Sequence, residues 1–65
     1  MKILVWEVRT SKGFTLMELS KKSGIGKSTI NNIENGKVPP TLFQLEMIAI
    51  ALGVNITDLF ESEYK

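Results

Sequence analysis

The sequence predicts an all-α fold, a compact five-helix bundle that forms a single domain over residues 1–65. A chain of 65 residues has room for one domain only, with a modest core. It contains neither Cys nor His, so disulfides and Cys/His zinc sites cannot stabilise that core, and packing alone must do so. Helix stops divide the chain into short segments; they lie at Gly13, Gly24, Gly36, Pro39, Pro40 and Gly53.

The first predicted helix spans about residues 3–12. Val5, Val8 and Lys12 fall on one face of it at i, i+3 and i+7. Gly13 then supplies the residue that commonly ends a helix in the left-handed conformation. The β-branched residues of the run "ILVWEV" also fit a strand, so a strand is the alternative for this segment.

The second predicted helix begins at Thr15 and ends near Ser23. Thr15 and Glu18 have the spacing of a capping box, in which the hydroxyl accepts from the Glu18 amide and the carboxylate reaches back to the Thr15 amide. Leu16 and Leu19 mark the inward side of this helix. Gly24 suits the left-handed turn that follows it.

The third predicted helix, about residues 27–35, has two chemically different sides. Ile30 and Ile33 point one way, as inward residues do at this spacing. The opposite side is polar and carries Ser28, Asn31, Asn32 and Asn35, with Lys27 at its edge. Asparagine has poor helix propensity, so these amides indicate either a solvated surface or a surface that recognises hydrogen-bonding groups.

Two further helices are predicted after the proline pair. Thr41 and Gln44 form a second capping box, and the helix that they begin ends at Gly53. Its apolar residues recur at helical spacing and are Leu42, Leu45, Ile48, Ala49 and Leu52. Asn55 then caps a short fifth helix with Asp58 in its first turn, where the helix dipole favours an anion. The apolar residues of this last helix are Ile56, Leu59 and Phe60.

Charge is distributed unevenly along the chain, although the net charge is only +1. Residues 1–37 carry seven Lys and Arg against three Glu, a net charge of +4. Residues 38–65 carry one Lys against four acidic residues, a net charge of −3. A basic half beside an acidic half suggests one surface that meets a polyanion; a chance split on a small protein is the alternative.

Composition also bears on enzyme activity and on membranes. Without Cys and His the chain has neither a thiol nucleophile nor an imidazole base, so we expect no enzyme, no cofactor and no metal site. The apolar run after Lys2 stops at Glu7. This run is shorter than the apolar core of about 7–15 residues in a signal peptide. No run approaches the roughly 18 apolar residues of a transmembrane helix. We therefore expect a cytoplasmic protein without membrane contact.

The stretch "GIGKST", residues 24–29, has two interpretations. A phosphate-binding P-loop needs the pattern G-x-x-x-x-G-K-[ST] after a strand, but its first glycine would have to replace Lys21, and a helical segment precedes the stretch. A helix-turn-helix needs a small residue on its first helix, a glycine turn and inward apolar residues on its second helix. The residues that meet these needs, in order, are Ser20, Gly24, Ile25, Ile30 and Ile33.

Further motifs along the chain support the helix-turn-helix interpretation. They are "T-x-x-E-L", "G-x-x-x-S-T-I", "I-E-N-G" before "P-P-T", and "A-L-G-V" before "D-L-F". Through them the chain closely resembles the lambda-repressor-like, or XRE-type, helix-turn-helix family over residues 3–60. The resemblance implies a DNA-binding domain with a central helix-turn-helix (helices 2 and 3) whose third helix enters the major groove. The chain departs from the family's pattern at Ser20, where Ala is usual, and at Leu16, where many members have a phosphate-contacting Gln.

By family position, the resemblance assigns several contacts. The base-contacting residues would be Lys27, Ser28 and Asn32, with Asn31 beside them. Lys27 suits guanine, and Asn32 suits adenine in bidentate fashion. The phosphate-contacting residues would be Thr15, Asn35 and Lys37. Arg9 and Glu34 would form a structural ion pair between the first helix and the end of the third.

We therefore expect a small sequence-specific transcriptional regulator, a repressor, whose partner is a near-palindromic double-stranded DNA operator. A homodimer on DNA would contact two half-sites about 34 Å apart. Trp6, Leu4 and Phe60 either complete the core or form an exposed dimer surface. The alternative is a protein-interaction module of the same fold, such as an antitoxin or a complex subunit.

Overall fold

The chain folds into four α-helices, one 3₁₀ turn and a two-stranded antiparallel sheet, in a computed structural model that describes residues 1–65. The helices are α1 (Val5–Ser11), α2 (Leu16–Ser23), α3 (Lys27–Glu34) and α4 (Leu42–Leu52). The 3₁₀ turn is Ile56–Leu59, and the strands are β1 (Lys2–Ile3) and β2 (Phe60–Glu61). None of the helices is long and apolar enough to cross a membrane.

The predicted all-α, five-helix bundle is wrong at both ends of the chain. Lys2 and Ile3 form a strand opposite Glu61 and Phe60, and α1 begins only at Val5. The β-branched Ile3 suits an extended conformation, and the far end of the chain supplies the partner strand that makes this conformation stable. The strand alternative for the run "ILVWEV" therefore holds only at Ile3, and from Val5 onward the run is helical as predicted.

The predicted fifth helix is a single 3₁₀ turn of four residues. Phe60, which follows it, has φ −154° and ψ 155°, so the chain enters β2 instead of continuing a helix. The Leu59 carbonyl oxygen accepts from the Leu4 amide at 2.8 Å, which extends the pairing of the two strands. A helix this short gains too few hydrogen bonds to propagate. Pairing with β1 instead gives the backbone groups from Leu59 to Glu61 their hydrogen-bond partners.

The capping boxes predicted for α2 and α4 are confirmed. In each helix the N-cap threonine and the third residue exchange hydrogen bonds between side chain and backbone, Thr15 with Glu18 and Thr41 with Gln44. Gly24 follows α2 with φ 75°, a left-handed conformation in which any other residue would be strained. The sequence therefore determines where α2 begins and ends without help from distant contacts.

The core lies between α2, α3 and α4 and is completed by α1 and the 3₁₀ turn. Nine apolar residues are buried in it: Val5, Leu19, Ile30, Ile33, Leu45, Ile48, Ala49, Leu52 and Leu59. α2 packs against both α3 and α4, so the first helix of the helix-turn-helix anchors the second to the rest of the domain. Each large side chain that is buried contributes roughly 1.5–3 kcal/mol.

Arg9 connects three parts of the fold. Its Nε donates to Glu34 Oε2 at 2.7 Å, and its Nη2 donates to Glu34 Oε1 at 3.0 Å. Its Nη1 donates to the carbonyl oxygen of Phe14 at 2.8 Å. The side chains of Arg9 and Glu34 are only 10% and 3% exposed, so this bidentate ion pair is largely shielded from water. It joins α1 to the C-terminal end of α3 and to the segment before α2.

Replacing Glu34 with Ala should lower the free energy of unfolding by about 3–5 kcal/mol, because the change leaves the Arg9 guanidinium without its counter-charge in a mostly buried position. Glu34→Gln should lower it less, since the amide oxygen still accepts one of the two hydrogen bonds. Urea denaturation followed by circular dichroism measures both differences.

Glu7→Ala provides the matched control for this measurement. Glu7 faces Lys2 at 3.9 Å, and the two side chains are 46% and 69% exposed, a geometry that contributes about 1 kcal/mol or less. A Glu34→Ala protein as stable as the Glu7→Ala protein would show that the pair with Arg9 does not hold the fold together.

Candidate nucleic-acid interface

α3 presents a polar side to solvent above a buried apolar side. Ile30 and Ile33 are 0% and 1% exposed, which confirms the inward pair that the spacing predicts. The polar residues on the other side are Lys27, Ser28 and Asn31, which are exposed, and Asn32, which is half-buried. All four residues predicted to contact bases therefore lie together on the side of α3 that faces away from the core.

The N-terminal end of α3 has no side-chain cap. Its N-cap residue is Gly26, and no side chain accepts a hydrogen bond from the first amides, whereas α2 and α4 both begin with a full capping box. The first turn of α3 also contains no acidic residue. The first amides of a helix lack intrahelical partners and carry a partial positive charge, so this end is open to hydrogen-bond acceptors.

Two serines of α2 fix the turn that leads into α3. The Ser20 hydroxyl donates to the Ile25 carbonyl oxygen at 2.7 Å, and the Ile25 amide donates to Ser23 Oγ at 3.2 Å. Sequence reasoning identifies Ser20 only as a small residue at the helix crossing and misses both bonds. The available signal was the pair of hydroxyls five and two residues before Ile25, within reach of a turn that doubles back on α2.

Asn35 and Lys37 lie beyond the other end of α3. Asn35 is its C-cap and is exposed, and the Lys37 amide donates to the Asn32 carbonyl oxygen at 2.9 Å. Between them, Gly36 has φ 73°, which turns the chain back toward the helix. Asn35 Nδ2 also donates to Asn31 Oδ1 at 3.3 Å, a long bond that leaves both amides with unused donors and acceptors.

Thr15 lies on a different helix, at the start of α2, and is engaged within the protein. Its Oγ1 accepts from the Glu18 amide at 3.1 Å, and its own amide donates to Glu18 Oε1 at 2.9 Å. A carboxylate therefore already occupies part of this helix end. The hydrogen bonds from the backbone and the side chain of Thr15 lower the pKa of Glu18 below its ordinary value of 4.5.

Most lysines of the chain have no carboxylate partner. The three ion pairs of the structure use Lys2, Arg9 and Lys65. The remaining cations are Lys12, Lys21, Lys22, Lys27 and Lys37, all in the basic N-terminal part of the sequence. Lys27 and Lys37 lie at opposite ends of α3, so the polar side of this helix is flanked by positive charge that no acidic residue neutralises.

An apolar groove lies beside the C-terminal end of α3. Its exposed apolar residues are Met1, Trp6, Val38 and Leu42. Asn35 and Gly36 border the groove, which has a volume of about 1000 Å³. We call it the Trp6 groove. Exposed apolar surface gathered in one concave place is a feature of protein interaction sites.

Trp6 differs from Leu4 and Phe60, the residues with which the sequence groups it. Leu4 and Phe60 are half-buried, and Phe60 belongs to β2 with the Lys65 ammonium 5.4 Å from its ring centroid. Trp6 is 53% exposed and lines the groove. Leu4 and Phe60 therefore lie half-buried at the sheet, and Trp6 alone of the three lines the exposed apolar groove.

The fold and the surface of α3 define a class of protein. The family described as "Helix-turn-helix" matches residues 7–59, a range that contains α2, the turn and α3. The chain belongs to this helix-turn-helix family, which confirms the resemblance carried by the sequence motifs.

Within this family, the named proteins that the chain resembles are regulatory proteins. The chain is 32% identical over 60 residues to the HTH-type transcriptional regulator SinR of Bacillus subtilis, and the match covers 91% of this chain and 54% of SinR, so the chain spans about half the length of that relative. The restriction-modification controller protein C.AhdI of Aeromonas hydrophila superposes with a TM-score of 0.82 at 30% identity, over 86% of this chain and 85% of C.AhdI. The N-terminal DNA-binding domain of SinR gives a TM-score of 0.80 at 29% identity, over 94% and 90% of the two chains.

The pH dependence of stability should report on the bonds between Glu18 and Thr15. Because the pKa of Glu18 is lower in the folded chain than its ordinary 4.5, this carboxylate stabilises the fold above about pH 4.5, and its contribution is lost as the pH falls through the lowered pKa. Glu18→Gln keeps the capping box and does not titrate. Thermal melts between about pH 7 and pH 3 should show a smaller decrease in Tm for the variant. Equal decreases in the two proteins would contradict this.

Proposed function

We propose that this chain is a small, sequence-specific DNA-binding transcriptional regulator, a repressor that reads the major groove with α3. The observation that carries the proposal is the uncapped, amide-rich side of α3 above two buried isoleucines. An α-helix fits the major groove, and the second helix of a helix-turn-helix meets base edges with its N-terminal residues. SinR is named a transcriptional regulator, and the likeness to its DNA-binding domain supports the same role for this chain. The proposed location is the cytoplasm, where the DNA of a bacterial cell lies.

The proposed base contacts are Lys27, Ser28, Asn31 and Asn32. Lys27 is suited to donate to O6 and N7 of guanine, and Asn32 to bind N6 and N7 of adenine in bidentate fashion. Asn31 already accepts a hydrogen bond from Asn35, so Asn32 is the freer of the two neighbouring amides. The Ser28 hydroxyl can either donate or accept a hydrogen bond, so it contributes less to the discrimination between bases.

The proposed phosphate contacts lie at two helix ends, and are Asn35, Lys37 and Thr15. Lys37 is an exposed, unpaired cation, and each phosphate that such a residue neutralises contributes about −0.9 to the slope of log affinity against log salt. At the start of α2, Glu18 engages both polar groups of Thr15. The contact there is therefore expected to come chiefly from the neighbouring amides of Leu16 and Met17, which have no intrahelical partner.

Asn32→Ala should weaken binding to the preferred DNA site at least about tenfold, because a bidentate contact to adenine contributes about 1–3 kcal/mol of discrimination. Binding to unrelated DNA should change little, since that binding depends on phosphate charge. Selection from random duplexes supplies the preferred site, and fluorescence anisotropy measures both affinities.

Two further variants make this measurement specific. Asn55→Ser changes an exposed asparagine outside α3 and keeps an accepted N-cap residue, so it should bind like the wild-type chain. Lys37→Ala should weaken all DNA binding and reduce the salt slope by about 1. Enrichment of no sequence, or an Asn32→Ala protein that binds as tightly as Asn55→Ser, would contradict base reading by α3.

We further propose a homodimer on a near-palindromic double-stranded operator, with the Trp6 groove as the contact between copies. Half-sites one helical turn apart are separated by about 34 Å, and the longest extent of one copy is 31 Å. With their longest axes along the DNA, two copies at this spacing would come close enough for their side chains to meet. The groove borders Asn35 and Gly36 at the end of α3, so the contact would lie next to the DNA.

Leu42→Ser should reduce affinity for an operator with two half-sites more than affinity for a single half-site, because it removes apolar surface from the groove. Phe43→Ser is the matched control: Phe43 is 68% exposed on the same helix but does not line the groove. Sedimentation of the complex counts the copies bound. One copy on the wild-type operator, or equal effects of the two variants, would contradict the proposed contact.

A protein-interaction module, such as an antitoxin or a complex subunit, is the second candidate function. The Trp6 groove favours it, because exposed apolar residues suit another protein as well as a second copy. Under this alternative, Lys27→Ala and Asn32→Ala preserve the activity, and replacement of Trp6 abolishes it. Site selection separates the two functions, since a module that does not bind DNA enriches no sequence.

A further inference from the structure

The turn between α2 and α3 is bonded to α2 on both sides of Ile25. The Ser20 hydroxyl donates to its carbonyl oxygen at 2.7 Å, and its amide donates to Ser23 Oγ at 3.2 Å. Ser23 is only 3% exposed, and the Ile25 side chain packs against the core. Both backbone polar groups of one turn residue are therefore held by hydroxyls of the preceding helix, through two partly buried hydrogen bonds.

α3 begins directly after this fixed residue. Gly26 is its N-cap and makes no side-chain bond, and Lys27 is its first helical residue. The start of α3 is therefore placed relative to α2 by the backbone of Ile25, together with the packing of the buried Ile30 and Ile33, and not by a local cap.

We propose that Ser20 and Ser23 are positioning residues for base recognition, which set the placement of α3 in the groove without touching DNA. The inference rests on the proposed function. Hydrogen bonds to bases require donor–acceptor distances of about 2.7–3.2 Å, whereas phosphate contacts are largely electrostatic and tolerate small displacements. A looser turn therefore weakens binding to the operator more than binding to unrelated DNA.

The test compares affinity for the selected operator with affinity for an unrelated duplex. The Ser20→Ala/Ser23→Ala double variant should bind the operator about tenfold more weakly, because two hydrogen bonds are lost, and should bind unrelated DNA within about twofold of the wild-type chain. Ser11→Ala is the matched control, since the Ser11 hydroxyl donates to the Val8 carbonyl oxygen at 2.9 Å in α1, away from the turn. It should leave both affinities unchanged.

Adding Gly26→Ser to the double variant separates positioning from stability. Gly26 has φ −58°, and a Cβ there would meet only Thr29 Oγ1 at 3.8 Å, so serine fits and can cap α3. The cap should raise the Tm of the double variant without restoring its preference for the operator, and Gly26→Ser alone supplies the reference. Recovery of the preference together with Tm would overturn the positioning role.

Hydrogen exchange of the Ile25 amide gives a readout without DNA. Ser23→Ala should accelerate this exchange, because the amide loses its acceptor; unchanged exchange would overturn the inference. An unchanged operator preference in the double variant would also overturn it, while the proposed function would stand. A wild-type chain that selects no operator would overturn the proposed function itself, and the base-recognition role of the two serines with it.

Discussion

The bidentate pair between Arg9 and Glu34 is the contact on which the arrangement of the helices most depends. Removing two charges from water is unfavourable by itself, and only satisfied geometry offsets the cost. Here both carboxylate oxygens of Glu34 and the carbonyl oxygen of Phe14 accept from one guanidinium. Apolar contacts in a core of nine residues are not directional, whereas this pair fixes the C-terminal end of α3 against α1 and against the segment before α2.

α3 has a low intrinsic tendency to form a helix, but contacts with the rest of the domain hold it in place. It has eight residues, asparagines on its outer side and no side-chain cap, and a helix this short is not stable alone in water. Ile30 and Ile33 below it, Glu34 at its end and the bonded turn before it hold it in place. The residues that hold the helix are thus distinct from those that face outward, so the outward residues are free to differ without unfolding the domain.

Features set by neighbouring residues were predictable from local patterns in the sequence. Among the features that join distant residues, the family resemblance implied the ion pair between Arg9 and Glu34, and the others were not predictable. The capping boxes, the glycine stop after α2 and the inward spacing of Ile30 and Ile33 follow from local patterns. The pairing of β1 with β2 joins opposite ends of the chain through two residues on each strand, too few to show a period. Likewise, composition and spacing identify Ser20 as small and Thr15 as a cap, but only geometry shows that the Ser20 hydroxyl bonds Ile25.

The small sheet has a consequence for how this domain is joined to other polypeptides. Lys2 lies opposite Glu61, so the chain enters and leaves the fold at neighbouring points. Domains with adjacent termini tolerate insertion into a host loop and attachment of additional segments, because neither operation stretches the core. SinR, of which the match covers 54%, carries such additional sequence. Further sequence can therefore join this domain at one place, beside the two-stranded sheet.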